Sequence, residues 1–168
     1  MMKLIIQVPC YNEAQTLEIA LNHLPKHIDG IDEIEYLIIN DGSRDDTVKV
    51  AKNWGVNYVV NFRTNRGLAK GFMAGLDACL RNGADIIVNT DADDQYCGDD
   101  IEKLVRPILE EKADIVIGER PIDDTEHFHR SRKSFSISEA GPCVWHPNPI
   151  FLTHRAVSVL IAVTQRCV

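Results

Sequence analysis

Residues 86–96 read IIVNTDADDQY, a short apolar run followed at once by closely spaced acids. The run Ile86 to Val88 is typical of a short buried strand. Asp91 and Asp93 follow it two residues apart, so on an extended chain both carboxylates point to the same side. Two such acids repel each other unless a positive charge lies between them. The pattern predicts either an acidic turn or a site for a hard divalent cation, Mg²⁺ or Mn²⁺.

Apolar runs and amphipathic segments alternate along the first two thirds of the chain. The predicted strands are Leu4–Val8, Tyr36–Asn40, Tyr58–Phe62, Asp85–Val88 and Asp114–Ile117. The predicted helices are Glu13–Leu24, Asp45–Trp54, Gly67–Leu80 and Asp99–Lys112, with Asp45 or Asp46 as N-cap of the second and Asp99 or Asp100 of the fourth. This alternation indicates an α/β fold with three αβα layers and a mainly parallel sheet.

Polar side chains follow each predicted strand. In a parallel sheet the carboxyl ends of the strands share one edge, and ligands bind outside that edge. We therefore expect a single rim of four carboxylates and two arginines, namely Glu13, Asp41, Asp91, Asp93, Arg66 and Arg120. A helix start needs one capping oxygen, so capping alone does not account for the whole set.

The chemistry of this rim suits a nucleotide diphosphate. A cation between Asp91 and Asp93 would neutralise charge on a departing phosphate oxygen. Arg66 or Arg120 would pair with phosphate oxygens, since a guanidinium matches their bidentate geometry.

The same rim offers groups for the nucleoside. Tyr11 presents a ring on which a base can stack, Asp41 can accept from base N–H groups, and Glu13 can accept from a ribose hydroxyl. The sequence contains no G-x-x-x-x-G-K-[ST] and no G-x-G-x-x-G, which argues against a P-loop and against a dinucleotide cofactor.

Five segments together carry a family resemblance. In order they read VPCYNEAQTL, NDGSRDDT, NRGLAKGFMAG, NTDADDQY and ADIVIGER. Over about residues 3–128 the chain resembles the family 2 glycosyltransferases, which have the GT-A fold. The DADDQY segment is most similar to the branch of dolichyl-phosphate mannose synthases and related polyprenyl-phosphate sugar transferases.

The resemblance implies a role for individual residues. The nucleotide would be held by Pro9, Tyr11, Glu13 and Asp41. The D-x-D of Asp91, Ala92 and Asp93 would bind the metal and the diphosphate, with Gln95 as a further metal ligand, and Arg120 would lie near the sugar phosphate.

The resemblance also implies a reaction. A sugar would move with inversion from a GDP- or UDP-linked donor to an acceptor, with Mg²⁺ or Mn²⁺ assisting departure of the nucleotide diphosphate. Where the acceptor is a polyprenyl phosphate, it is already an anionic nucleophile, and a dedicated general base becomes unnecessary.

The composition of the chain limits which binding partners and which cellular compartment are expected. The 168 residues suggest one domain, and a net charge of −7 argues against nucleic-acid binding. The start of the chain turns polar too early for a signal peptide, and no apolar run reaches the ~20 residues of a transmembrane segment. Five cysteines without a C-x-x-C pair suit a reducing compartment. We expect a cytoplasmic protein, peripheral at the membrane where its acceptor is a lipid.

The last part of the chain differs in composition from the rest. Of 25 acidic residues, only Glu139 follows residue 126, and four of the six histidines lie in residues 127–168. This part lacks the acidic and glycine patterns of the family's acceptor half. The spacing of its zinc-capable residues, Cys143, His146, His154 and Cys167, fits no usual zinc pattern.

We therefore divide the chain into a donor-binding domain, residues 1–128, and an aberrant, poorly ordered tail, residues 129–168. Within the tail, the apolar run Ala156–Val163 is predicted to form a stray helix. Two alternatives remain to a glycosyltransferase. One is a catalytically inactive, truncated fragment that binds a nucleotide sugar. The other is a nucleotidyltransferase, which would usually show a glycine-rich basic loop where this chain has Pro9 to Glu13.

A single-base deletion just after the Phe128 codon would explain the tail. When each codon is read from its third base, residues 150–168 allow PDAPSGFRAYRRDAAMR and residues 138–146 allow GSWAVRVA. Both resemble the acceptor side of the family. Resequencing the gene tests this hypothesis, and a confirmed reading frame with no family sequence in the shifted frame would contradict it.

Overall fold

The computed structural model describes residues 1–92, 98–118 and 158–161. Its elements in chain order are β1 (Lys3–Cys10), α1 (Leu17–His23), β2 (Glu33–Asn40), α2 (Thr47–Trp54), β3 (Tyr58–Asn61), α3 (Leu68–Arg81), β4 (Ile86–Asn89), α4 (Asp99–Leu109), β5 (Ile115–Ile117) and β6 (Ser158–Ile161).

The described strands form one parallel sheet in the order β3-β2-β1-β4-β6-β5. The central strand β1 pairs along its whole length with β2, so that Cys10 lies opposite Asn40. On its other side β1 pairs with β4, and there Gln7 lies opposite Asn89. The carboxyl ends of β1 and β2 are therefore level, whereas β4 ends three residues lower on β1.

Two apolar clusters sandwich the sheet. Alternate residues of β1 face opposite sides, as strand geometry requires. Leu4, Ile6 and Val8 pack beneath α1, α2 and α4, and all three are at most 1% exposed. Ile5 faces the other side and shares a cluster with Cys79 of α3. The structure confirms the predicted three-layer αβα architecture.

The predicted elements of the first two thirds are present, but α1 begins four residues later than predicted. Asn12 has a φ of +58°, which breaks any helical path there. The backbone N–H groups of Thr16 and Leu17 both donate to the Glu13 carbonyl, so the segment forms turns before Leu17. These turns leave Glu13 in the loop at the carboxyl end of β1.

The fourth helix starts differently from the prediction. Neither Asp99 nor Asp100 is its N-cap, because both belong to the helix and Gly98 occupies the cap position. A Cβ at Gly98 would collide with the His23 carbonyl group, so a side chain there is sterically excluded. In the second helix Asp46 holds the N-cap position, while the Asp45 carboxylate accepts the Thr47 N–H at 3.1 Å.

The described part of the tail contradicts the predicted stray helix. Ser158–Ile161 form a strand that pairs in parallel with β4 on one side and β5 on the other. Between two strand edges, a four-residue segment can form hydrogen bonds with its backbone N–H and C=O groups on both sides. A short isolated helix is marginal because few of its backbone groups form hydrogen bonds within the helix. The rest of residues 129–168 lies outside the described residues, and the boundary at residue 128 stays a prediction.

Helix α3 lies close to the sheet because its inward face carries small residues. Gly71, Gly75 and Cys79 recur every fourth position and are buried. A Cβ at Gly75 would collide with the Gln7 carboxamide and would come within 2.5 Å of Ile39 Cδ1. A Cβ at Gly71 would meet only Ile39 Cγ2, at an ordinary 3.5 Å.

These contacts predict opposite effects for two alanine substitutions in the same helix. Gly75→Ala should lower the free energy of unfolding by about 1–3 kcal/mol, because the core must shift to admit the methyl group. Gly71→Ala should be neutral or stabilising by up to about 1 kcal/mol, because alanine favours the helix. Urea unfolding measures both, and equal effects of the two substitutions would contradict the packing described.

Candidate functional site

A pocket of about 180 Å³ lies where β1 and β2 end and α3 begins. Its lining residues are Pro9, Cys10, Tyr11, Ile39, Asp41, Asn65, Gly67, Leu68 and Gly71. The pocket lies on the α3 side of the sheet, since Ile39 belongs to the apolar cluster beneath that helix. Three of the residues predicted to hold a nucleotide therefore line one pocket.

Asp41 ties the end of β2 to the start of α3. Its Oδ1 accepts the Arg66 N–H at 2.7 Å and its Oδ2 accepts the Gly67 N–H at 2.9 Å. Gly67 is the N-cap of α3, where a carboxylate also interacts favourably with the helix dipole. The side chain is largely buried, at 8% exposure. Each carboxylate oxygen retains a second lone pair, so Asp41 can still accept from a ligand.

The loops after β2 and β3 touch backbone to backbone. Gly42 has a φ of +75°, and a Cβ there would lie 2.5 Å from the Thr64 carbonyl carbon and 2.6 Å from the Asn65 nitrogen. A side chain at this position is excluded both by its conformation and by the close approach. Glycine at position 42 of the D-G-S segment therefore allows the backbone at Asn65, which lines the pocket, to pack directly against the loop after β2.

The loops after β1 and β2 are joined by the side chain and backbone of Asn12. Its backbone N–H donates to Ser43 Oγ at 2.9 Å, and its Oδ1 accepts the Arg44 N–H at 2.9 Å. Asparagine tolerates the left-handed φ of +58° better than most residues. Tyr11, the preceding residue, is thereby held at the pocket mouth with 46% of its surface exposed.

A second set of bonds joins the same two loops further along. The Glu13 N–H donates to Thr47 Oγ1 at 2.9 Å, and the Ala14 N–H donates to Asp45 Oδ2 at 3.1 Å. The Glu13 carboxylate accepts the Thr16 hydroxyl at 2.9 Å. Glu13 therefore sits in a loop whose backbone is fixed before any ligand binds.

The thiol of Cys10 is buried at the end of β1. Burial raises the pKa of Cys10, and the negative charges of Glu13, Asp91 and Asp45 raise it further. The three acids come from the loops after β1, β4 and β2, strands whose carboxyl ends lie at the same edge of the parallel sheet. Burial and the negative charges both disfavour the thiolate, which is the form of cysteine that acts as a nucleophile or binds a metal.

Asp91 and Ala92 continue directly from β4. The Thr90 N–H donates to the Gln7 carbonyl at 3.1 Å, which extends the pairing with β1 by one residue. Ala92 is buried in the apolar cluster beneath α4, at 3% exposure. Ala92 therefore anchors the segment by packing, and Asp91 lies half-buried beside it.

The acids suit a hard divalent cation in ligand type, because carboxylate oxygens are the ligands that Mg²⁺ and Mn²⁺ prefer. Within the described residues, no three acidic, histidine or cysteine side chains are grouped closely enough to hold a metal ion on their own. Asp93 and Gln95, which are predicted from the sequence as further ligands, lie outside the described residues.

Several predicted site residues have no described environment. Asp93, Gln95 and Arg120 lie outside the described residues. The other arginine of the predicted rim, Arg66, places its guanidinium over the Phe62 ring, 5.3 Å from the ring centre.

The contribution of α3 to the pocket was not predicted from the sequence. Leu68 and Gly71 line it from the first turn of the helix. The available signal was the position of this helix directly after the Asn65-Arg66-Gly67 segment of the rim, which brings its first turn to the same edge. The hydrogen-bonding roles of Asn12, Ser43 and Thr47 were also missed, since they join residues about 30 positions apart.

The joined loops predict a pH-dependent stability. Burial opposes ionisation of Asp45, but hydrogen bonds from Thr47 and Ala14 outweigh it and hold the pKa of Asp45 below its ordinary 3.8. A lowered folded-state pKa means that the carboxylate stabilises the fold above pH 3.8 and loses this effect as the pH falls through the folded value. Asp45→Ala should therefore cost about 1 kcal/mol at neutral pH and progressively less below pH 3.8.

The adjacent Asp46 provides the matched control. It holds the N-cap position of α2, but its side chain makes no capping bond within the described residues. Asp46→Ala should therefore change the unfolding free energy little at either pH. Urea unfolding at neutral and acidic pH measures both variants, and an Asp45→Ala deficit that persists unchanged in acid would contradict the assignment.

Comparison with known proteins places this site in a family. The family model described as "Glycosyl transferase family 2" matches residues 5–163. A UDP-N-acetylglucosamine–dolichyl-phosphate N-acetylglucosaminyltransferase of Methanococcus voltae is 33% identical over 129 residues, which cover 67% of this chain and 50% of that protein. An undecaprenyl-phosphate mannosyltransferase of Micrococcus luteus is 29% identical over 145 residues, which cover 83% of this chain and 57% of that protein.

Solved structures agree with this placement at the level of fold. Glucosyl-3-phosphoglycerate synthase of Mycobacterium tuberculosis, crystallised with Mn²⁺, UDP and glucosyl-3-phosphoglycerate, superposes with a TM-score of 0.56 at 23% identity, over 72% of this chain and 45% of that chain. The likeness confirms the predicted GT-A fold. The chain spans about half the length of these relatives. Its fold, the order of its motifs and the matched family model together show that this chain belongs to glycosyl transferase family 2.

Proposed function

We propose that this chain forms the donor-binding part of a glycosyltransferase that moves a sugar, with inversion, from a nucleotide-diphosphate sugar to an acceptor. The observation that carries the proposal is a matter of topology: the pocket lined by Tyr11 and Asp41 lies at the carboxyl ends of β1 and β2, and Asp91 follows β4, which pairs with β1, at the same edge of the sheet. A nucleoside pocket beside a cluster of acids is the arrangement that a metal-bound nucleotide diphosphate requires.

The pocket would receive the nucleoside. Its walls combine the Tyr11 ring, the Pro9 ring and Leu68 with one buried carboxylate, Asp41. Such a mixture of apolar walls and a single polar anchor is typical of small-molecule sites. A base could stack on Tyr11 and donate an N–H to Asp41, while Glu13 accepts from a ribose hydroxyl.

Asp91 and Asp93 would hold a divalent cation together with the diphosphate. When bound, that cation supplies charge neutralisation for the departing nucleotide diphosphate. Gln95 would add a further oxygen ligand, and Arg120 would contact the sugar phosphate. The Mn²⁺ and UDP in the crystallised mycobacterial synthase support this choice of ligand class.

The acceptor would be a polyprenyl phosphate. The Methanococcus and Micrococcus relatives are named for dolichyl-phosphate and undecaprenyl-phosphate acceptors. One oxygen of the phosphate would attack the anomeric carbon as the bond from that carbon to the nucleotide diphosphate breaks. Among the described helices, none is long and apolar enough to cross a membrane. We propose a peripheral contact with the membrane through the lipid acceptor.

Nucleotide binding tests the donor site. Isothermal titration of UDP and GDP, each with and without Mn²⁺, should show binding that strengthens at least tenfold with the metal. Asp93→Ala and Asp91→Ala should each remove most of this metal effect, because each takes away a carboxylate ligand. The tighter-binding nucleotide identifies the base, since the Asp41 carboxylate can accept an N–H from uracil or from guanine.

Asp77→Ala is the matched control. Asp77 is an exposed acid on α3, ion-paired with Arg81 at 2.9 Å and remote from the pocket lining. Its loss should leave the metal effect unchanged. Nucleotide binding that ignores the metal and all three substitutions would refute the proposed donor site.

The alternative is a fragment that binds the donor without transferring the sugar. It is favoured by the unusual composition of residues 129–168, where the family's acceptor half is expected. A transfer assay with radiolabelled nucleotide sugar and polyprenyl phosphate separates the two. Labelled lipid supports the transferase, and donor binding without labelled lipid supports the fragment.

A further inference from the structure

The cluster beneath α3 contains a buried amide, Gln7, that the donor site described above does not use. Its side chain is 0% exposed and lies on the same face of the sheet as Ile5 and Ile39. Its Nε2 donates to Asn89 Oδ1 at 3.0 Å. Its Oε1 accepts a weak bond from the Cys79 thiol at 3.9 Å. Gln7 therefore has one strong side-chain partner among the described residues.

An apolar side chain would be the simpler choice at this position. A buried amide costs free energy unless its polar atoms are bonded, and here the carboxamide also excludes any side chain at Gly75. The strong bond joins Gln7 to the half-buried last residue of β4. The feature that Gln7 supports is therefore Asn89.

Asn89 lies at the carboxyl end of β4, beside the central strand β1, whose own carboxyl end lines the pocket. It ends β4, two residues before Asp91, and it is half-buried. It lies opposite Gln7 in register, and Pro9, the next residue of β1 on that face, lines the pocket. A ligand that extends from the pocket toward Asp91 along the α3 side of the sheet passes this side chain.

The bond from Gln7 also fixes which end of the Asn89 amide is available. Since Oδ1 accepts from Gln7, the amide cannot rotate by half a turn without losing that bond. The Nδ2 group then lies on the opposite side of the amide. It donates to no acceptor among the residues that the structure describes. Asn89 thus offers two N–H donors beside a site proposed to receive an oxygen-rich ligand.

We propose that Asn89 is a further donor-binding residue, whose Nδ2 donates to an oxygen of the sugar diphosphate, and that Gln7 is the positioning residue that fixes its amide. The inference rests on the proposed function. The accepting oxygen belongs either to a phosphate or to a sugar hydroxyl, which share the same chemistry toward an amide N–H.

Titration of the full chain in Mn²⁺ with UDP and UDP-N-acetylglucosamine, and with GDP and GDP-mannose, tests the contact. Asn89→Ala should weaken binding about tenfold, as expected for a hydrogen bond to a charged or strongly polar acceptor. A loss shared by the nucleotide and its sugar conjugate assigns the oxygen to a phosphate. A loss confined to the sugar conjugate assigns it to a sugar hydroxyl. Unchanged affinity for both overturns the inference.

Gln7 is tested through its dependence on Asn89. Gln7→Leu should weaken binding, and the Gln7→Leu/Asn89→Ala double variant should bind no more weakly than Asn89→Ala alone. A merely structural role would instead give additive losses. Gln7→Glu should also weaken binding, because a carboxylate forces the Asn89 amide to turn its Nδ2 inward.

Cys79→Ala is the matched control for the cluster. It removes the other partner of Gln7 from the same core, so it should lower stability while leaving nucleotide affinity unchanged. The experiments distinguish failure of the proposed function from failure of the proposed role of Asn89. A wild-type chain that binds none of the four ligands refutes the proposed function, whereas binding that is insensitive to Asn89→Ala refutes only the role of Asn89.

Discussion

The pairing of the central strand β1 with β2 and β4 is the constraint on which the site depends. Register places Cys10 opposite Asn40, so the loops that carry Tyr11 and Asp41 begin at the same height. On the other side, Asn89 lies opposite Gln7, so β4 ends lower and the chain climbs through Thr90 before reaching Asp91. A shift of one residue in either pairing would turn inward-facing side chains outward and separate these groups.

The loops above the sheet are fixed by one another. Asp41 binds two backbone N–H groups from the loop after β3, and Asn12 exchanges bonds with the loop after β2. Gly42 allows the loops after β2 and β3 to pack backbone against backbone. Because the described pocket is ordered by its own side chains, a ligand entering it would lose little affinity to loop ordering.

Two kinds of feature could be predicted from the sequence: secondary-structure elements, from the local residue pattern, and the location of the site, from the rule that ligands bind at the carboxyl ends of parallel strands. Apolar periodicity located the strands and helices, and the convergence of parallel strand ends brought Tyr11, Asp41 and Asp91 to one edge. The start of α1 was missed because it depends on Asp45, in the loop after β2, and on Thr47, the first residue of α2. Position 98, the N-cap of α4, requires glycine because the His23 carbonyl leaves no room for a side chain. Strand β6 forms because β4 and β5 pair with it on either side. Such features depend on contacts that short-range patterns do not encode.

The burial of Cys10 has a consequence for the chemical robustness of the pocket. The thiol lines the pocket, yet it is only 3% exposed, and three carboxylates oppose its ionisation. Alkylating agents, peroxides and disulfides react with the thiolate, so burial and the neighbouring negative charges both disfavour these reactions at Cys10. Although Cys10 lines the pocket, it is therefore a poor target for reagents directed at thiols.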